Sequence, residues 1–557
     1  MNAEAQRGAA LDLRSLLLLM LAAVAILAPG ISSLPPVDRD EPRYETATTQ
    51  MLKTGDFVDI RYQEQPRYLQ PAGVYWLQAI PTALFSAPGH RAVWTYRLPS
   101  LLGALLATLI TTVAAGRLFG RQVGVGAGVF LASCLSLGFE ARIGKTDGAL
   151  LAATAAAQFA LMRLYLDPPA KRWVAAAFWA ALGVGVLLKG PIPLLVSGLT
   201  VLALVAWDRR VGWLKRLHAG WGAPLALLIA APWYVAIGLV SHGGFFRTAI
   251  GKSMMGKVAV GQQAHGAPFG YHFVGLPLTF WPASLLLAGA AVFAWRERAR
   301  PQVRFLIAWI APSWIVFELI KTKLPHYVLP LFPALACLAA LALFSARLPT
   351  RAWQRWLFGA FVVLWLLASG VLSALSPVAL FIYEKRVDAV AVALCAASLA
   401  CVVALLVCLI RGRREGVVAA VAGAAAFTAV NLYVVGLPGL NTLWLSPRAV
   451  RLAKAQAPCP TTRLISTPYH EPSLVFLNGP DRTFLAQNPD EAAQRLSQDR
   501  ACGLALIGEK ERGAFEARAR TEGLALRPVG GLTGRDYADG RDLTLTLYAA
   551  APPALRP

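Results

Sequence analysis

Apolar residues run in long unbroken stretches along most of this chain, and polar residues gather in the short gaps between them. Stretches centred near 14–34, 95–115, 123–140, 147–166, 172–188, 191–207, 222–240, 272–295, 303–320, 326–345, 353–375, 387–410 and 416–437 are each about as long as a bilayer is thick. They are continuous rather than alternating. Inside hydrocarbon only helices or a closed barrel satisfy the backbone, so the pattern predicts about thirteen membrane-spanning helices. No small-residue cleavage pattern follows "APGISSLPP", and many spans come after it, so the first run reads as a span rather than a removed signal.

From about residue 439 the pattern changes. "TRLIST", "SLVFLN", "GLALIGE" and "DLTLTLYAA" read as short strands, and "PDEAAQRLSQ" and "EKERGAFEARART" as helices with one charged face. The chain therefore divides into an all-α membrane region, 1–438, and a small α/β domain, 439–557.

The gaps differ in charge. With the N-terminus in the cytoplasm, one side receives Arg117 and Arg121, Lys171 and Arg172, "DRRVGWLKR", "WRERARPQVR", Arg347, Arg351 and Arg355, and "RGRREG". Short basic loops concentrate on the cytoplasmic side of a membrane. The opposite side receives a long first loop, 35–94, then "EARIGKTDG", "LKGP", 241–271 and "KTKLPHY". An odd number of spans leaves the C-terminal domain on that second, external side.

Composition agrees. Of 557 residues, 57% are hydrophobic and 15% charged, well below the charged share of a soluble domain. The net charge of +23 is accounted for by membrane orientation together with binding of anionic ligands. It does not point to nucleic acid, because no binding motif accompanies it. No phosphate-loop or dinucleotide fingerprint is present. Five of the seven cysteines lie in spans. Cys459 and Cys502 lie in the terminal domain, where an oxidising compartment would allow them to pair.

The external segments hold the candidate chemistry. In "DRDEPRYETATTQMLKTGD", Asp40 suits a helix N-cap, and Tyr44, Ala47, Met51 and Leu52 recur at helical spacing up to Gly55. This predicts a short amphipathic helix at the membrane surface. Asp38, Glu41 and Arg43 crowd the same turn, where ionisable groups beside hydrocarbon are costly. Arg43, Lys189, Lys321, Lys323 and His326 all fall at external span ends, against the usual charge bias. Snorkelling is the plain explanation for any one of them. Together they suit an anionic phosphate. Asp147 opens a span, where it could cap the helix or act in catalysis. His265 and His272 bracket "GAPFGY", which ends in Tyr271, and a histidine there could bind a divalent metal or simply form hydrogen bonds. No Cys/His spacing resembles a zinc site, and no cofactor is expected.

The motifs "DRDEPRYETATTQMLKTGDFVDIRYQEQPRYLQPAGVYWLQA", "ARIGKTDGALL", "LLKGPIP", "HGAPFGYHFVGLPLTFWP" and "KTKLPHYVLPLFPA", in this order, resemble the bacterial aminoarabinose lipid A transferases. These belong to the protein O-mannosyltransferase-like, polyprenyl-phosphate-dependent glycosyltransferases. The resemblance spans about residues 10–345. It implies a GT-C fold in a bacterial inner membrane and transfer of a sugar from a polyprenyl phosphate to lipid A or a related envelope glycolipid on the periplasmic side, usually with inversion. It also implies Asp40 and Asp147 as the catalytic acids. Arg43, Glu41, Tyr44, Gln70, Lys189, Lys321, Lys323 and His326 would then meet the donor's phosphate or sugar, with His265, Tyr271 and His272 as further candidates. The chain departs from the family before Pro71. Leu69 and Gln70 stand where relatives carry a charged residue and a lysine, and Arg67 is the nearby cation that could substitute. Two other readings use the same residues: O-glycosylation of a protein hydroxyl, with Asp40 as a true base, and transport of a lipid-linked anion, in which Asp40 would not be needed for turnover.

Overall fold

The computed structural model describes residues 11–86, 92–166, 171–254, 256, 266–345 and 352–551. Every expected span falls on a helix or a helix pair. Among the described residues nine helices are long and apolar enough to cross a membrane, and the pair Tyr271–Thr279 and Ala283–Arg296, bent by 118°, makes ten if it is counted as one broken span rather than a re-entrant loop. Leu13–Leu27 and Ile192–Asp208 are shorter apolar helices. The run 123–140 is broken at Cys134 into Arg121–Ser133 and Leu135–Glu140. This is an all-α polytopic membrane protein with a small sheet near its C-terminus.

The bundle core holds several of the largest side chains fully buried, including Trp281, Trp309 and Trp365. Their indole N–H groups are satisfied inside the bundle by Ser369 Oγ, the Pro330 carbonyl and the Pro282 carbonyl. A buried indole needs such a partner. Two glycines set the approach that matters most for the site. A Cβ on Gly103 would lie 2.5 Å from the Ala149 nitrogen, and one on Gly148 would lie 2.3 Å from the Ser100 carbonyl oxygen. Helices Val93–Phe119 and Asp147–Leu166 thus touch backbone to backbone, one residue from Asp147.

The first loop folds as expected in outline. Helix Asp40–Thr54 ends at Gly55, whose φ of 72° is cheap only for glycine, and the Gly55 N–H closes on the Met51 carbonyl. The hairpin β1 (Arg61–Tyr62) and β2 (Gln65–Pro66) follows, then helix Gly73–Phe85. Two expectations fail here. Asp40 is not the cap: Arg39 occupies that position, and Asp40 is the first helical residue. Nor does the helix float on the surface. Its buried set includes Glu41 and Glu45 as well as Tyr44, Ala47 and Met51, because it is clamped between Gly73–Phe85 and the C-terminal helix Pro472–Asn478.

The C-terminal sheet has order β4-β3-β5-β7-β6, with β3 (Arg463–Thr467), β4 (Thr483–Leu485), β5 (Gly503–Gly508), β6 (Leu526–Asp536) and β7 (Arg541–Ala550). β3 runs parallel to β4 and β5, and β7 runs antiparallel to both β5 and β6. Strands β3, β5 and β7 and helices Pro489–Gln498 and Arg512–Thr521 match the sequence reading. "SLVFLN" does not: it is the helix Pro472–Asn478. A short apolar run has no period to decide between strand and helix. Here Pro472 starts the helix, and Asp38, from far away in the chain, receives the Ser473 N–H at 2.8 Å. Cys459 and Cys502 form a disulfide with Cα atoms 5.6 Å apart.

Candidate active site

The helix ends on the face carrying the first loop converge on one cluster. Asp40 projects from its helix with a side chain 56% exposed, its Oδ2 3.8 Å from Lys145 Nζ. Lys189, at the end of helix Arg172–Lys189, donates to Asp147 Oδ1 at 2.5 Å. Thr146 Oγ1 donates to Asp147 Oδ2 at 3.3 Å. His326 stands between two acids, with Nε2 4.0 Å from Asp147 Oδ1 and Nδ1 3.2 Å from Glu140 Oε1. The second Glu140 oxygen is buried without a partner.

The surrounding backbone fixes this cluster. The Lys145 carbonyl accepts from Ser100 Oγ at 2.9 Å, and the Gly144 carbonyl accepts from Gln78 Nε2 at 2.9 Å. Beneath them the Arg142 guanidinium donates to the carbonyls of Ile26, Pro29 and Gly138 and stacks 4.2 Å above the Tyr433 ring. The segment 141–146 is therefore pinned from four sides.

Electrostatics follow from this packing. Burial would raise the Asp40 pKa, but Lys145, Arg67, Arg43 and His326 outweigh it and hold Asp40 below the ordinary carboxylate range. Burial would strip the proton from Lys145, but Glu140, Asp147 and Asp40 hold it on more firmly than in a free amine. Asp40 is an exposed carboxylate facing a captive ammonium.

The other candidates divide. Arg43 makes no hydrogen bond or ion pair among the described residues, and it lines a cavity beside the C-terminal sheet. Gln70 is half-buried near the same loop. Glu41 is not in the open site. It is fully buried and bidentate to Arg97, at 2.7 and 2.9 Å, and it also accepts the N–H groups of Val37 and Gly144. A carboxylate so saturated ties the first loop to the second rather than meeting a ligand. Tyr44 is also buried, stacked on Tyr75 with ring centres 5.5 Å apart, and the Arg67 guanidinium sits 4.7 Å over its ring. Arg67 Nε donates to Tyr75 Oη at 2.9 Å. This buried cation stands below Asp40, where the sequence offered Arg67 as a substitute for the missing lysine.

Lys323 donates to the carbonyls of Ala267 and Ile320, at 2.9 and 2.8 Å, so it stitches a loop. Lys321 is exposed and outside the cluster. Glu318 receives the N–H groups of Gly270, His272 and Phe273 and so caps helix Tyr271–Thr279. The His272 ring is buried, both nitrogens unpartnered, edge-on to Tyr271 at 5.2 Å. A largely apolar cavity of about 370 Å³ opens beside them, lined by Phe269, Tyr271, His272, Val274, Leu278 and Pro325. His265 lies outside the described residues. Among the described residues no three His, Cys, Asp or Glu side chains gather as a metal site. Lys145 and Lys189 occupy the space between the acids.

Sequence reasoning missed Lys145 and Glu140. Both lie in the quoted "EARIGKTDG", and Lys145 breaks the same external charge bias that singled out Lys189.

Comparison with known proteins identifies the fold. A family model described as dolichyl-phosphate-mannose-protein mannosyltransferase matches residues 69–235. ArnT from Cupriavidus metallidurans, solved bound to undecaprenyl phosphate, superposes with a TM-score of 0.71, covering 98% of this chain and 100% of that one at 22% identity. The fold is GT-C. The oligosaccharyltransferase of Archaeoglobus fulgidus shares the architecture more distantly, at TM-score 0.52 and 12% identity, over 97% of this chain and 74% of that one. A curated relative from Yersinia pestis, an undecaprenyl phosphate-alpha-4-amino-4-deoxy-L-arabinose arabinosyl transferase, is 29% identical over 334 residues. That match takes in 56% of this chain and 55% of the relative, so the chain spans little more than half the length of the curated relatives it matches.

Proposed function

We propose that this GT-C chain is a bacterial inner-membrane glycosyltransferase that moves a sugar from a polyprenyl phosphate to lipid A at the periplasmic face. The observation that carries the reading is the convergence of Asp40, Lys145, Asp147, Lys189 and His326 at the ends of separate helices on one face. The similarity to arabinosyl transferases and to the undecaprenyl phosphate-bound ArnT supports it. The loop-bearing face is then periplasmic, the N-terminus cytoplasmic, and the region from about residue 439 a periplasmic domain.

The bond that breaks joins the sugar C1 to a phosphate oxygen, and the bond that forms joins C1 to an acceptor oxygen. Negative charge grows on the departing polyprenyl phosphate. Lys145 and Lys189 place ammonium groups beside it, held by Asp40, Asp147 and Glu140, and such fixed charges stabilise the transition state more than the ground state. Asp40, on the open side, faces the acceptor. It removes the proton from a hydroxyl acceptor. For a phosphate acceptor, already ionised, it stabilises the positive charge developing on the sugar. The apolar cavity beside Pro325 suits the first isoprene units of the donor. Gln70 in place of a lysine leaves the sugar unassigned. The family model's description names a protein acceptor, but the curated relatives are arabinosyl transferases and favour the glycolipid reading, and none of these names is a transporter's.

The test is a reconstituted assay in nanodiscs with undecaprenyl-phosphate-linked aminoarabinose and purified lipid A, read by mass spectrometry. Wild type should add the mass of one sugar, and Asp40→Asn should lower turnover about 100-fold. Full turnover by Asp40→Asn, or no transfer from any undecaprenyl-linked pentose or hexose, would contradict the reading.

A further inference from the structure

A second cavity, of about 280 Å³, lies between the first loop and the C-terminal sheet, and its charged and polar lining is Arg39, Arg43, His470, Glu471, Asp536, Asp539 and Arg541. Its charges are unevenly matched. Arg39 and Arg541 both bind Asp539, so two guanidinium groups share one carboxylate. Arg43 has no carboxylate of its own among the described residues. Asp536 is turned to the Ala538 N–H at 3.1 Å.

Glu471 is the telling residue. It is only 6% exposed, its Oε1 lies 3.5 Å from Arg39 Nε, and its Oε2 is buried with no hydrogen-bond partner. Burial, then the carboxylates of Asp38 and Asp536, push its pKa to about 8, so near neutral pH it carries a proton. A protonated carboxyl with no acceptor is a donor awaiting an oxygen. The lining thus offers three guanidinium groups and an O–H donor against two carboxylates, a set that suits phosphate oxygens. Arg43 joins this cavity to the reacting centre, because it also acts on Asp40 in the same helical turn.

We propose that this cavity binds the phosphate of the acceptor's sugar head group, with Arg43, Arg541 and Glu471 as its ligands. The proposal rests on the transferase reading and gives the C-terminal region a role: it forms one wall of the acceptor site. A head group seated here would present its acceptor oxygen on the open side of Asp40, away from the membrane side on which the donor lipid enters.

The test uses the full chain in detergent with saturating undecaprenyl phosphate, which fills the donor site. Glucosamine 1-phosphate and inorganic phosphate are titrated separately by calorimetry. The expected result is that glucosamine 1-phosphate binds at least tenfold more tightly than inorganic phosphate and that Arg541→Glu weakens it at least tenfold. The Arg541 side chain is 66% exposed, and a melting curve of Arg541→Glu that matches wild type separates lost binding from lost folding. In the transfer assay Arg541→Glu should raise KM for lipid A while affinity for undecaprenyl phosphate stays the same. No binding by wild type, equal binding by Arg541→Glu, or inorganic phosphate binding as tightly as the sugar phosphate would each overturn the proposal. Binding is read without turnover, so tight binding by a chain that transfers no sugar would count against the transferase reading and leave the cavity standing.

Discussion

Replacing Arg97 by methionine tests how the first loop is held over the site. Arg97 is fully buried and makes five hydrogen bonds: two to Glu41, and one each to the carbonyls of Ile31, Leu34 and Pro35. Methionine fills much of the space and satisfies none of them. Glu41 would keep only the N–H groups of Val37 and Gly144, with Glu45 one turn away. Removing one partner of a buried pair costs about 3–5 kcal/mol, because the other charge is stranded. At about 1.4 kcal/mol per decade, the opening equilibrium of helix Asp40–Thr54 should rise by two to three orders of magnitude. Amide hydrogen exchange along that helix reads this opening directly. The double variant Glu41→Gln/Arg97→Met should recover part of the loss, since no unpaired charge remains. Protection unchanged in Arg97→Met would refute the scaffold role. So would a raised donor KM in Glu41→Gln with protection intact, which would return Glu41 to the binding site.

Other outcomes follow from the same packing. Lys145→Gln should lower kcat about 100-fold, since it removes one fixed cation from the reacting centre, and should also lower the melting temperature, since Glu140 and Asp147 lose a neutralising charge; a transfer assay run below the melting transition separates the two effects. Glu45→Gln should change stability by less than about 1 kcal/mol, because Glu45 is fully buried, its oxygens find no partner, and burial beside Glu41 holds it protonated; guanidinium unfolding reads this. Cys459→Ser should destabilise the C-terminal region by about 4 kcal/mol, the loop-closure worth of a bond spanning 43 residues, measured by its exchange protection. Burial pushes Asp38 up to about 6 from an ordinary 3.8, and Glu471 up to about 8 from 4.5. Both bind protons more tightly when docked, with Asp536, Asp539, Arg39, Arg43, Arg541, Tyr469 and Tyr537 around them. The stability they contribute is complete below about pH 4 and is lost as pH rises through 6 and then 8. Exchange at Pro472–Asn478 should therefore be faster at about pH 9 than at about pH 5, after correction for intrinsic rates.

The membrane architecture was legible because hydrocarbon imposes one rule on every span: continuous apolar residues of a set length. The charges at the loop-bearing ends of the helices were legible for the same reason, since Asp40, Asp147, Lys189 and His326 each break that rule. What the sequence concealed was direction. Glu41 and Asp40 are neighbours, yet one turns inward to Arg97 and the other outward to Lys145, and nothing local separates them. Lys323 and Lys189 look alike as lysines at span ends, but one finds two carbonyls and the other a carboxylate. "SLVFLN" became a helix through a cap supplied by Asp38, from the other end of the chain. Such tertiary partners lie hundreds of residues away, beyond the reach of any periodicity.

The central claim is that Asp40 serves sugar transfer to lipid A. The most direct measurement is mass spectrometry of lipid A extracted from a deletion strain, from that strain carrying the wild-type chain, and from that strain carrying Asp40→Asn. The account predicts a sugar-sized mass that is absent from the deletion, restored by wild type, and absent again with Asp40→Asn. Identical lipid A in all three strains would contradict the acceptor, and restoration by Asp40→Asn would contradict the role of Asp40.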